Sequence, residues 1–163
     1  MADKNNQTEA AENLSQLLQI RRDKLKQLQE SGNDPFVITR FVSDNDSGNI
    51  KENFDALEGQ EVAIAGRLMS KRGMGKVSFC DLQDKAGRIQ LYARKDEMDE
   101  AEYNRFKKYD IGDIVGVHGV VFRTQRGEMS VRVVTVTLLS KSLLPLPEKF
   151  HGLTSTELRY RQR

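Results

Sequence analysis

Residues Glu61–Tyr92, EVAIAGRLMSKRGMGKVSFCDLQDKAGRIQLY, decide the fold. They read as three short strands joined by two turns. From Glu61 to Met69, Val62, Ile64 and Leu68 share one face, and Ala63, Ala65, Arg67 and Met69 the other. From Lys76 to Gln83, Ser78, Cys80 and Leu82 lie opposite Val77, Phe79 and Asp81. From Arg88 to Tyr92, Ile89 and Leu91 lie opposite Arg88, Gln90 and Tyr92. Period-two alternation predicts one covered face and one wet face. With the aliphatics and Cys80 covered, Arg67, Phe79 and Gln90 are expected to point outward side by side. A guanidinium, an aromatic ring and a side-chain amide on neighbouring exposed strands suit a nucleobase. The first two offer stacking surfaces and the amide reads a base edge.

The first turn, Ser70–Gly75 (SKRGMG), has two glycines that permit a tight reversal. It is expected to carry Lys71 and Arg72 at its tip, within reach of a nucleic-acid backbone. It is not a phosphate-cradling loop, because the GK[ST] ending is absent. Asp84–Gly87 (DKAG) is the second turn.

Further along, Asp96–Tyr109 reads as a helix with Met98, Ala101, Tyr103, Phe106 and Tyr109 as its apolar weight. Ile111–Phe122, interrupted by glycines, suits a strongly curved fourth strand. Met129–Leu139 is a fifth strand whose alternation slips between Val133 and Val134, which predicts a bulge. Three meander strands, a helix and two more strands form the order of an OB-fold, a mostly β, five-stranded Greek-key barrel with one helix between strands three and four. The second and third strands of such a barrel carry its oligonucleotide face, and Phe79 and Gln90 fall there.

Working back towards the amino terminus, residues 1–12 have few large apolar side chains and are expected to be a disordered lead-in. Residues 13–58 are expected to hold an amphipathic helix and a connector. Asn13 caps the helix and Gly32 stops it. Leu14, Leu17, Leu18, Leu25 and Leu28 make an apolar stripe, interrupted by Arg21. Arg22, Lys24 and Lys26 flank it, either as a solvated face or as a basic ridge laid on phosphates. Pro35 blocks further helix, and Asp44–Asn49 is turn-rich and expected to be mobile. Residues 59–142 are the barrel. Residues 143–163 carry Pro145 and Pro147, a stiff linker, and then the start of a helix too short to be stable alone. The chain is therefore expected to continue into a further domain.

Composition narrows the functional classes. Of the 163 residues 31% are charged, yet the net charge is only +2, so any nucleic-acid surface must be a local patch. Cys80 is the single cysteine, which excludes an internal disulfide and points to a reducing, cytoplasmic setting. It reads as a small buried hydrophobe, with no His or Asn partner to make it a nucleophile. His118 and His151 lie far apart and suggest no metal site. No apolar run approaches the roughly 20 residues that span a bilayer. No catalytic, cofactor-binding or metal-binding residue is assigned.

Three stretches carry a family resemblance. They are RRDKLKQLQESGNDPF at 21–36, AGRLMSKRGMGKVSFCDLQDKAGRIQLY at 65–92 and LPLPEKFHGLTSTELRYRQR at 144–163. The chain from about Leu14 onward resembles the amino-terminal, anticodon-binding region of class II lysyl-tRNA synthetases. The middle stretch is shared in style with aspartyl and asparaginyl relatives, whereas the outer two are more particular to the lysyl branch. The resemblance implies that the barrel binds the uridine-rich anticodon of lysine tRNA. It implies that Phe79 stacks on the central anticodon base, that Arg67 and Gln90 stack or contact base edges, and that Glu128 borders the pocket and accepts from a base edge. Arg22, Lys24 and Lys26, with Lys71 and Arg72, would touch the tRNA backbone. ATP and Mg2+ would serve the full-length enzyme, a homodimer, through a later domain. This chain alone is expected to be inactive in aminoacylation and allows a monomer. Two rival classes are a free-standing single-strand-binding module and a protein-interaction barrel presenting Phe79 and Met69.

Overall fold

The computed structural model describes residues 2–146, Thr156 and Tyr160. Its centre is a closed barrel of five strands: β1 (Glu61–Met74), β2 (Val77–Gln83), β3 (Arg88–Arg94), β4 (Ile114–Arg123) and β5 (Met129–Ser140). Around the barrel the order is β1-β2-β3-β5-β4, and β4 returns to β1. Only β3 and β5 run parallel; the other pairs are antiparallel. This is the expected five-stranded OB-fold topology, and a helix, α4 (Glu100–Lys108), connects β3 to β4 as expected. Asp99 caps α4 by accepting from Glu102 N, and Tyr103 and Phe106 are buried under it.

The covered face forms as the alternation predicts. Val62, Ile64, Leu68, Cys80, Leu82, Ile89, Leu91, Val115, Val117, Val121, Val131 and Val133 are buried together. Burial pushes the Cys80 thiol up to about 12, which makes it an inert apolar filler. The bulge expected in β5 is present: His118 pairs with Thr135 and Gly119 with Val133, leaving Val134 unopposed.

β1 differs from its expected form. It runs on through Ser70, Lys71, Arg72 and Gly73, and the reversal comes only at Gly75, whose φ of 62° suits glycine. The segment Ser70–Gly75 is therefore mostly strand, and Lys71 and Arg72 do not sit at a loop tip. The length serves closure. The first half of β1, Glu61–Arg67, pairs with β4, and the second half, Arg67–Met74, pairs with β2. Between Leu68 and Ser70 the register shifts, a bulge at Met69. One extra residue exchanges the faces of everything after it.

Before the barrel, α1 spans Ala2–Glu30. The helix continues through the segment expected to be a disordered lead-in, and Asn13 lies inside it rather than at its cap. Alanine and glutamate in TEAAE favour helix. Gly32 ends it with φ 74°, as expected. The leucine stripe divides. Leu25 and Leu28 are half-buried, Leu28 against the core, but Leu14 and Leu17 are 48% and 40% exposed.

Arg21 is 7% exposed and docks α1 onto the barrel. Its guanidinium donates to Ser142 O at 3.0 Å, Leu144 O at 3.0 Å and Ile111 O at 3.1 Å. The charge that interrupts the stripe is thus a clamp on three carbonyls. Below it Lys141 is buried between Asp110 (2.7 Å) and Asp113 (2.9 Å).

The connector is more ordered than its turn-rich sequence suggests. It contains α2 (Ser47–Glu52) and α3 (Phe54–Leu57), with Ile50 and Phe54 in the core. Asp46 caps α2 through Asn49 N, and Asp84 accepts from both Ser47 N (2.6 Å) and Ser47 Oγ (2.7 Å). Burial would raise the Asp84 carboxyl, but these bonds hold it below the usual range. Residues 147–155 and most of those beyond, where the linker's second proline and a new domain's start were expected, lie outside the described residues.

Candidate nucleic-acid interface

Directly opposed residues form rows across the barrel wall. One row is Arg72, Phe79, Tyr92 and Arg132, on β1, β2, β3 and β5. The neighbouring outward row is Asp81, Gln90, Ser130 and Phe122. All these positions alternate with buried Cys80, Leu91 and Val131, so their side chains lie on the outer face. Phe79, Gln90, Tyr92 and Phe122 are half-buried there.

Three rings meet on this face. The centroids of Phe79 and Tyr92 are 5.2 Å apart, and those of Tyr92 and Phe122 are 5.4 Å apart, tilted at 58° and 57°. Tilted contacts at these distances are favourable and fix the rings against one another. They floor a concavity of about 800 Å³ whose walls include Arg72, Gln90, Arg126 and Glu128. Phe79, Gln90 and Glu128, expected to act together, therefore do line one surface.

Polar groups around the rings are partly committed. Ser130 Oγ donates to Gln90 Oε1 at 3.1 Å, so the Gln90 amide nitrogen is the edge left for a ligand. Glu128 N donates to Thr124 Oγ1 at 3.0 Å, which anchors the turn while its carboxylate stays exposed. Glu97 bridges Arg94 (3.3 Å) and Arg132 (3.5 Å). Arg123 lies over the Phe54 ring at 4.5 Å and donates to Gly127 O. Arg72 and Arg126 have no acidic partner among the described residues. The wall is thus a local positive patch on a nearly neutral chain.

Arg67 is not part of this surface. Its Cα partners are Gln83 and Ile114, and its Nη1 donates to Gly112 O at 2.8 Å. The guanidinium beside Phe79 is that of Arg72, because the Met69 bulge carries the wall on past Arg67 and sets Arg72 opposite the ring. The same bulge turns Lys71 inward. Lys71 pairs with Cys80, its ammonium donates to Phe106 O and Tyr109 O, and it lies 5.0 Å from the Phe106 ring centroid. Burial lowers its pKa. It is tied to the end of α4 and not open to a phosphate.

The helix residues also divide. Arg22 is exposed and makes no ion pair among the described residues, and Lys26 makes a long 3.8 Å contact with Glu30. Lys24 is held by Asp110 at 2.6 Å, so it anchors α1 instead of standing free. Burial would raise the Asp110 carboxyl, but Lys141 and Lys24 hold it below the usual range.

Sequence reading missed Tyr92, Phe122 and the arginines at 94, 123, 126 and 132. Tyr92 carried a signal, two residues beyond Gln90 on the same strand face. Phe122 and the later arginines depend on how β4 and β5 fold over β3.

Comparison with known proteins agrees with this geometry. Residues 62–139 match the tRNA anticodon family model, described as an OB-fold nucleic acid binding domain. The barrel is similar to that family over those residues. The chain is also 52% identical over 95% of its length to a lysine–tRNA ligase of Clostridium perfringens, of which it covers 31%. A lysine–tRNA ligase of Syntrophomonas wolfei is 53% identical over 96% of the chain, and one of Moorella thermoacetica is 57% identical over 90%; 31% and 30% of those proteins are covered. The chain thus spans about a third of the length of these curated relatives. It is an anticodon-binding OB-fold domain that matches the N-terminal region of lysine–tRNA ligases. Among the described residues no helix is long and apolar enough to cross a membrane.

Proposed function

We propose that the outer face formed by β2, β3, β5 and the end of β4 holds the anticodon of a lysine tRNA. The longer protein would use this hold, in the cytoplasm and as a homodimer, to select tRNA for ATP- and Mg2+-dependent lysylation. The observation that carries the reading is the tilted trio Phe79, Tyr92 and Phe122, edged by Gln90 and Glu128. Splayed bases stack on rings, and each base stacked is worth about 1–3 kcal/mol. The Gln90 amide can donate and the Glu128 carboxylate can accept. A uridine edge offers an acceptor beside a donor, and cytidine offers the two in the opposite order. Arg72, Arg22 and Lys26 serve as backbone contacts, while Arg67, Lys24 and Lys71 hold the domain together.

The test is a titration of the chain with two anticodon stem-loops, one uridine-bearing and one with cytidine in its place. Wild type is expected to prefer the first, and Gln90→Ala to narrow that preference more than it weakens overall binding. Equal affinity of wild type for both loops would select a single-strand module without sequence preference.

A further inference from the structure

A second basic surface lies in the groove between α1 and α4. The groove holds about 400 Å³ and no carboxylate lines it. Four cations do: Lys24, Arg105, Lys108 and Lys141. Lys24 and Lys141 are already neutralised by Asp110 and Asp113. Arg105 and Lys108 make no ion pair among the described residues. The local sequence leaves them so. A helix balances an exposed cation with an acid four positions earlier, but Ala101 and Asn104 occupy those places. Glu102, three before Arg105, is committed to the backbone N–H of Val136. Arg105 and Tyr109 line the groove together. A chain with 24 acidic residues against 26 basic ones thus keeps one groove free of acids.

We propose that this α1–α4 groove is a phosphodiester-binding site, gripping RNA backbone apart from the base-reading platform. Arg105 and Lys108 are its charged contacts, and the amides of Gln27 and Asn104 supply further donors. The proposal rests on the reading of this domain as an RNA binder. A rival explanation is that the cations at the end of α4 only offset the helix dipole. Lys107 separates the two. It belongs to the same helix end, but it does not line the groove and lies 5.9 Å from the Tyr103 ring centroid.

The experiment titrates a long-stemmed RNA hairpin into wild type, Arg105→Gln/Lys108→Gln, Lys107→Gln and Phe79→Ala at several salt concentrations. The double variant is expected to lose about tenfold in affinity, with a salt slope shallower by roughly 1.5, near 0.7–0.9 for each charge removed. Lys107→Gln is expected to keep the wild-type slope, and Arg105→Lys/Lys108→Arg to restore binding. Circular dichroism melts check folding, and exposed Lys108→Gln alone serves if the double variant is unfolded. Equal losses for Lys107→Gln, or no loss in the double variant while Phe79→Ala weakens binding, overturn the groove. Inorganic phosphate that shifts the Arg105 and Lys108 amide resonances, without any RNA effect of the double variant, also overturns it. No RNA binding by wild type would instead remove the function on which it rests.

Discussion

The barrel has two outer faces that obey the same alternation and are used in opposite ways. Around the start of β1 and β4, the outward positions Ala63, Ala65 and Gly116 are small, with His118 beside them. The chain's own connector covers them. Ala63 N donates to Asp44 Oδ1 at 2.9 Å, Ala63 O accepts from Asp44 N at 3.0 Å, and the Phe41 ring lies directly over Gly116 and 5.3 Å from the His118 ring. Around β2, β3 and β5 the outward positions are Phe79, Tyr92 and Arg132, and no segment of the described chain covers them. The size of an outward residue thus says who covers the face. Small residues make room for the protein's own backbone, and rings walled by arginines leave room for a partner with stacked, charged units.

The largest expected effect breaks the covered side. A Cβ at Gly116 would meet the Phe41 ring at 2.5 Å, so Gly116→Leu should lift the connector and cost about 3 kcal/mol in thermal unfolding. RNA affinity of the molecules that remain folded should not change. The reverse is expected of Tyr92→Ala on the bare side. Binding of an anticodon stem-loop should fall by about 1–2 kcal/mol in a titration, with a smaller change in melting temperature. A smaller contrast separates two adjacent residues. Arg72→Gln should flatten the salt dependence of RNA binding by about one unit of slope, and Lys71→Met, on the inner side, should leave the slope unaltered.

The smallest effect concerns the seam of α1. Asp110 is held below the usual carboxylate range, so its contribution is fully present above the ordinary value of 3.8 and fades as pH falls below it. On the order of 1 kcal/mol should be lost there. Asp110→Asn should reproduce the loss at neutral pH, read as faster amide exchange across Arg21–Leu28.

Much of this organisation was legible from alternation alone. Strand count, the β5 bulge and the outward ring of Phe79 follow from which residues recur at period two, and the position of α4 from the apolar residues between strands three and four. Arg67 and Arg72 were not separable that way. The bulge at Met69 adds one residue in a stretch whose glycines also fit a turn, and nothing in LMSKRGMG marks where the faces exchange. The order of the connector was hidden for a different reason. α2 is only 6 residues long and cannot be stable alone. It depends on Asp84, which is 37 residues distant from Ser47, and a local pattern cannot report such a partner. The remaining rings and arginines come from strands brought together by closure.

The most direct measurement of the central claim is a titration of a uridine-bearing anticodon stem-loop into wild type and Phe79→Ala, both checked for native folding. Loss of about 1–3 kcal/mol in the variant, roughly five- to 150-fold in affinity, is the predicted result. Unchanged affinity in a folded Phe79→Ala chain would contradict it and leave the three rings without a part in recognition.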